Sequence, residues 1–149
     1  DQACIDLRRI SHQMMPHALM KMGLIPALRD LAEQMKSTGL DVRFIALEEN
    51  LNLDSKKEVM LYRIVQELCN NMIKHENASE LIIQLSRHNG TVSVDVEDNG
   101  VGVQANKEQG IGLNNIASRV EYLNGRWEFD SSEGEGTSAH IEIPLNTEA

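Results

Sequence analysis

Four short stretches carry residue types that could do chemistry. The first is "YRIVQELCNNMIKHENA", in which Glu67, Asn71, Lys74 and His75 stand at i, i+4, i+7 and i+8. At about 100° per residue these positions share one helical face, with the apolar residues on the other. A carboxylate, an amide and two nitrogen bases in a stripe can be nothing more than a solvated face. They can also be a site: an amide oxygen is a hard, neutral ligand suited to a Mg²⁺ ion that keeps most of its waters and bridges phosphates. A lysine can meet phosphate as a point charge. The second stretch is "VDVEDNGVG", where an alternating strand pattern ends in Asp98 followed by Gly100 and Gly102. Glycines at such a corner serve a plain turn or leave room for a ligand to come close to the backbone. The third, "QGIGLNNIASRV", places Gly110 and Gly112 at the opening of a helix, whose first N–H groups lack helical partners and attract anions. The fourth, "EGEGTSAHIEIPL", sets Gly134, Gly136 and Thr137 in a tight turn into a strand. No GxGxxG opens a helix directly and no GxxxxGK[ST] is present, so neither the dinucleotide fingerprint nor the phosphate loop applies.

The elements that must position these residues follow from periodicity. Ile5, Leu7, Ile10, Met14 and Met15 repeat at helical spacing over residues 2–21, with Asp6, Arg8, Arg9 and Gln13 as polar positions and a break or kink expected at Pro16. A second helix is expected from about Ile25 to Lys36, with Pro26 in its first turn and Gly39 at its end. A strand is expected over 41–47. A helix over about 55–76 follows, capped by Ser55 with Glu58 at capping-box spacing, and Leu61, Val65, Leu68 and Met72 form its apolar face. Strands at 81–88 and 91–98 read as a hairpin across His88-Asn89-Gly90. A Gly-flanked loop covers 101–110, then a helix ends at Gly125 and two more strands close the chain. Two hairpins imply a mixed sheet, and about five strands with three strong helices imply a two-layer α/β sandwich.

The totals set further bounds. With 14 basic and 23 acidic residues the net charge is −9 over 149 residues, so nothing draws the chain toward nucleic acid. A sugar–phosphate ligand would need local help from a metal, backbone amides or a few basic side chains. Aromatics are scarce and methionines frequent, so the core is aliphatic. Cys4 and Cys69 are too far apart in sequence to suggest a zinc site or a disulfide framework and read as reduced thiols. No run is long and apolar enough to span a bilayer and no signal peptide is present, so a cytoplasmic location is expected, with any membrane anchor of the full-length protein lying elsewhere. The chain opens mid-pattern without Met, which leads us to expect a piece of a longer protein.

Taken in order, Asn71 on a helix, Asp98-x-Gly100-x-Gly102, Gly110-x-Gly112 and Gly134-x-Gly136-Thr137 resemble the ATP-binding domain of the gyrase, Hsp90, histidine kinase and MutL group, the Bergerat or GHKL fold. The resemblance covers about residues 40–145. Within the group the chain is most similar to sensor histidine kinases of the branch with a short ATP lid. "LRRISHQMMPHALMKMGLIPAL" resembles the second helix of that branch's dimerisation and phosphotransfer domain with the linker into the ATP domain. Residues 1–22 are therefore expected as the remnant of that helix and 23–149 as the catalytic domain.

The resemblance implies roles residue by residue. Asn71 would be a Mg²⁺ ligand, and Glu67 a candidate to polarise the attacking group or a metal-bound water. Lys74 and His75 would lie near the phosphates. Asp98 would accept a hydrogen bond from the adenine exocyclic amine, with Gly100 and Gly102 giving room for base and ribose. Residues 103–109 would be the lid, Gly110, Gly112 and Leu113 its hinge and the start of the phosphate-facing helix, and Thr137 a support of the adenine pocket. The cofactors implied are ATP and Mg²⁺. The partners implied are the phosphoacceptor histidine of the dimerisation domain and a response regulator. The full-length protein would be a homodimer, while the state of this chain is open, a monomer being one outcome. His12, followed by Gln13, departs from the acceptor pattern and reads as a packing or surface histidine. His17, His88 and His140 have no motif support. The alternatives are a related serine kinase acting as an anti-sigma switch, an ATPase clamp, or an interaction domain without nucleotide binding.

Overall fold

The computed structural model describes residues 17–48, 51–76, 78–100, 111–132 and 134–145. Two short N-terminal helices, α1 (His17–Met22) and α2 (Leu24–Lys36), meet at Gly23 and lead into strand β1 (Asp41–Ala46). The long helix α3 (Ser55–Glu76) crosses to β2 (Glu80–His88), which turns directly into β3 (Thr91–Asp98). Helix α4 (Ile111–Tyr122) then precedes the second hairpin, β4 (Arg126–Ser132) and β5 (Gly136–Pro144). The sheet order is β1-β2-β3-β5-β4, with β1 and β2 parallel and every other pair antiparallel. This is the mixed sheet expected from the two hairpins. The β2–β3 turn has Asn89 and Gly90 both at positive φ, 53° and 75°, the backbone that matches the twist of the flanking strands.

Strand alternation sorts the side chains into two layers. Leu81, Ile83 and Leu85 of β2, Val92, Val94 and Val96 of β3, and Ala139, Ile141 and Ile143 of β5 are all buried on one face. The helices cover that face with their own apolar stripes, including Leu28 and Leu31 of α2, Leu61, Ile64, Leu68 and Met72 of α3, and Ile116 and Val120 of α4. Each such side chain taken out of water is worth about 1.5–3 kcal/mol, so this single layer of contacts is the main source of stability. The other face is polar. A helix-covered face and a polar face together make the two-layer sandwich.

Local anchors differ in detail from the pattern in the sequence. The N-cap of α3 is Asp54, whose Oδ1 accepts the Lys57 N–H at 2.9 Å, and not Ser55. Glu58 does not close a capping box; its Oε2 accepts the Leu24 N–H at 3.2 Å and ties the start of α2 to the start of α3. Burial there raises the Glu58 pKa. Lys57 Nζ donates to the carbonyls of Pro144 and Leu145, pinning α3 to the end of β5. Helix α4 closes at Asn124, which takes the positive φ expected of Gly125. Of the helix expected over residues 2–21, the part from His17 is helical, and residues 2–16, with the Pro16 break, lie outside the described residues.

Candidate functional site

Asp98 continues the buried row Val92, Val94, Val96 and so points to the helix side of the sheet at the very end of β3. Its Oδ1 accepts the Gly100 N–H at 2.6 Å, and its Oδ2 is buried. Directly across the strand pair stands Thr137, itself only 3% exposed, with its Oγ1 2.7 Å from Ser131 Oγ. Gly136 is fitted against this corner. A Cβ there would collide with the Asp98 carbonyl oxygen and come within 3.3 Å of Asn99 Cα, and its φ of +87° disfavours any side chain. Behind the carboxylate lies Cys69 of α3. Burial first, and the Asp98 charge second, push its thiol up to about 12, so it is an inert packing group at neutral pH.

Helix α3 packs over β3 and β5, bringing the polar stripe to the same side of the sheet as Asp98 and Thr137. Glu67 and Asn71 are half-buried and Lys74 is exposed. His75 belongs to α3, but its side chain lies outside the described residues. So do Gly102, Gly110 and the Leu113 side chain. Gly112 falls within the first turn of α4, and Gly100 is buried beside the Asp98 carboxylate. Among the described residues no cluster of three His, Cys, Asp or Glu could hold a metal by itself. A cation that shares its coordination with phosphates needs no such cage, and an Asn amide with a carboxylate one turn away is a donor set that fits it.

Two further polar clusters border this constellation. A recess of about 180 Å³ at the same end of the sheet is lined by Asp98, Gly136 and Thr137 together with the acids Glu97, Asp130 and Glu135. Glu97 and Asp130 alternate onto the outer face and Glu135 lies in the β4–β5 turn, and their charge opposes a polyanion. Further along that face, His140 Nδ1 lies 2.6 Å from Asp95 Oδ1 and its Nε2 lies 3.0 Å from Glu142 Oε2. Glu142 first, then Asp95, raise the His140 pKa by hydrogen bonding.

One residue at the site escaped the motif reading. The Asn99 side chain accepts two backbone N–H groups, from Ser79 at 3.0 Å and Glu80 at 2.9 Å, and donates to Ser79 Oγ at 3.0 Å. In sequence Asn99 looks like a turn residue, and nothing local signals partners 19 and 20 positions upstream.

Comparison with known proteins identifies the family of the chain. Residues 56–147 match the family model "Histidine kinase-, DNA gyrase B-, and HSP90-like ATPase". The sensor histidine kinase ComP of Bacillus subtilis (strain 168) is 34% identical over 143 residues, covering 93% of this chain and 19% of its own length. The signal transduction histidine-protein kinase/phosphatase DegS of Brevibacillus brevis is 32% identical over 146 residues, covering 96% of this chain and 38% of its own. The chain thus spans well under half the length of these curated relatives. Among solved structures, the histidine kinase domain of the Erythrobacter litoralis EL346 blue-light activated histidine kinase superposes with a TM-score of 0.69 at 21% identity, over 82% of this chain and 61% of that one. At that identity the likeness establishes the fold.

Proposed function

This chain belongs to the histidine kinase-, DNA gyrase B- and HSP90-like ATPase family, as an ATP-binding catalytic domain of the sensor histidine kinase type, and on that premise we propose how its residues serve the reaction. The observation that carries the reading is the half-buried Asp98, with its Oδ2 enclosed, at the end of the helix-facing row, opposite Thr137, with Gly136 pressed against its backbone. A fixed carboxylate acceptor in that position selects the exocyclic amine of adenine. Guanine would present O6 there, acceptor to acceptor, and leaving such groups unmatched costs roughly 1–3 kcal/mol.

The face of α3 serves the phosphates. Asn71 would hold a Mg²⁺ ion, Lys74 and His75 would meet the phosphates, and Glu67 would polarise the attacking group or a metal-bound water. A Mg²⁺ ion held there would supply the positive charge that a chain of net charge −9 otherwise lacks for a polyanion. Gly100 and Gly102 would leave room for the base and ribose, and Gly110, Gly112 and Leu113 would form the hinge of a lid over residues 103–109 and the start of the phosphate-facing helix. The γ-phosphate goes to a histidine outside this chain, on the dimerisation domain, and from there to a response-regulator aspartate. Residues 1–22 are the end of that dimerisation domain and 23–149 the catalytic domain, within a cytoplasmic portion of a homodimeric protein. Among the described residues no helix is long and apolar enough to cross a membrane.

The test is incubation of the chain with labelled ATP and a separately supplied dimerisation domain. Acid-labile label on a histidine of that domain is the expected result. Acid-stable label on a serine partner would instead favour the serine-kinase reading. Calorimetric titration with ADP and Mg²⁺ showing neither heat nor a thermal shift would replace both with an interaction domain.

A further inference from the structure

We infer that Asn99 is a positioning residue of the nucleotide site: it aims the Asp98 carboxylate, and through it sets the preference for adenine over guanine. The inference rests on the reading of Asp98 given above. Asp98 is the last residue of β3, where a strand ordinarily frays, yet its carboxylate is required to hold one direction. The Gly100 N–H that fixes Asp98 Oδ1 at 2.6 Å is itself on a non-strand segment. Something must hold that segment, and the Asn99 side chain does so. Its Oδ1 receives the N–H groups of both Ser79 and Glu80, its Nδ2 donates to Ser79 Oγ, and its backbone N–H donates to the Glu80 carbonyl at 3.3 Å.

The far side of this clamp is also anchored. The Ser79 carbonyl accepts the Asp41 N–H at 3.0 Å, and the Ala78 N–H reaches the Met72 carbonyl at 3.4 Å. Asn99 therefore binds the Asp98 corner to the segment that leads out of α3, joining the adenine end of the site to the helix that carries Asn71. From the opposite side Gly136 closes on the Asp98 carbonyl. Asn99 is solvent-exposed and adds nothing to the core, so its four hydrogen bonds serve the direction of the corner more than global stability. The residue type matters. Two converging N–H groups need one acceptor oxygen, and the Ser79 hydroxyl takes a donor; an amide supplies both and alanine neither.

The experiment measures ATP and GTP affinities, with Mg²⁺, for the full 149-residue chain and its Asn99→Ala and Asn99→Asp variants, alongside thermal melts. Asn99→Ala is expected to weaken ATP binding about tenfold with a much smaller change for GTP, so that the ATP-to-GTP ratio collapses. Asn99→Asp keeps the acceptor for both N–H groups and is expected to recover most of that ratio, to within about threefold of wild type. Unchanged ATP affinity in Asn99→Ala, an equal loss for both nucleotides, or an Asn99→Asp ratio as low as that of Asn99→Ala would each overturn the inference. Should Asn99→Ala show no cooperative melt, the Asn99→Asp ratio decides alone. A wild-type chain that binds neither nucleotide, or both equally, removes the reading of Asp98 itself and the inference with it.

Discussion

Asp95 and Asp98 lie on one strand, β3, and meet opposite fates. Asp95 alternates onto the outer face, where His140 sits 2.6 Å away and Glu142 holds the other ring nitrogen. That carboxylate has a side-chain partner and serves the sheet. Asp98 alternates onto the helix-covered face, is fixed through one oxygen by a backbone N–H, and has Cys69 and Thr137 as its buried surroundings. The same residue type on the same strand thus meets different surroundings according to which face it reaches, and only Asp98 is placed for the nucleotide role proposed above. A half-buried carboxylate oriented by a backbone N–H is preorganised for a ligand; one hydrogen-bonded to a neighbouring imidazole on the outer face serves the sheet.

The sharpest way to break this comparison is to neutralise each acid in turn. Asp98→Asn places a donor against a donor and is expected to lower adenine-nucleotide affinity about a hundredfold or more, near 3 kcal/mol. Asp95→Asn is expected to leave that affinity within about twofold. Isothermal titration with ATP and Mg²⁺ checks both, and similar losses in the two variants would erase the distinction.

Next in size is the backbone that holds Asp98. Gly136→Ala must both collide with the Asp98 carbonyl and occupy a φ of +87°, so it is expected to destabilise the fold by about 2–4 kcal/mol and to weaken nucleotide binding. Gly134→Ala has a similar φ, +83°, with nothing within 4 Å, and is expected to cost only about 1 kcal/mol. Denaturant melts of the pair separate contact from conformation. If Gly134→Ala proves equally damaging, the close approach at Asp98 is not what demands glycine.

Asn71→Ala tests the other half of the site. Metal-free nucleotide binding should stay within about threefold of wild type while phosphoryl transfer falls by about tenfold or more. Equal losses in the two assays would argue against an amide ligand for the cation.

The smallest expected effect is the pH dependence of the outer cluster. Hydrogen bonds to Glu142 and then Asp95 raise the His140 pKa above its ordinary 6.5, so its stabilisation is fully present below 6.5 and fades as pH rises through the raised folded value. Glu142 is held below its ordinary 4.5 by His140 and then Arg126, so its stabilisation is present above 4.5 and fades as pH falls through the lowered value. The cluster therefore acts most fully between these ordinary values. His140→Gln should lower the thermal midpoint more at pH 5.5 than at pH 8.5 without changing ATP affinity. An equal shift at both pH values would show that charge on His140 has no part in it.

Much of this molecule was legible before any coordinates. The 22 residues of α3, the span of β3 and the Asn-Gly turn followed from periodicity and turn chemistry, because each depends on neighbours within a few positions. The caps were less legible. Asp54 and Ser55 are both competent caps, and Glu58 stood at capping-box spacing, but its carboxylate was claimed by Leu24, a residue 34 positions away. His140 had no motif at all; its partners come from the strand register, which places Asp95 opposite it.

Residue type and local spacing were enough for the element order and the aliphatic core, and they singled out Asn71, Asp98 and Thr137 as candidates. Tertiary structure alone decided that Asn99 reaches back to Ser79 and Glu80, that Gly136 abuts the Asp98 backbone, and that Asp95 and Asp98 serve different faces. Those facts depend on how strands pair. Register is a property of two segments at once, settled by burying both apolar rows together, and neither segment encodes it alone.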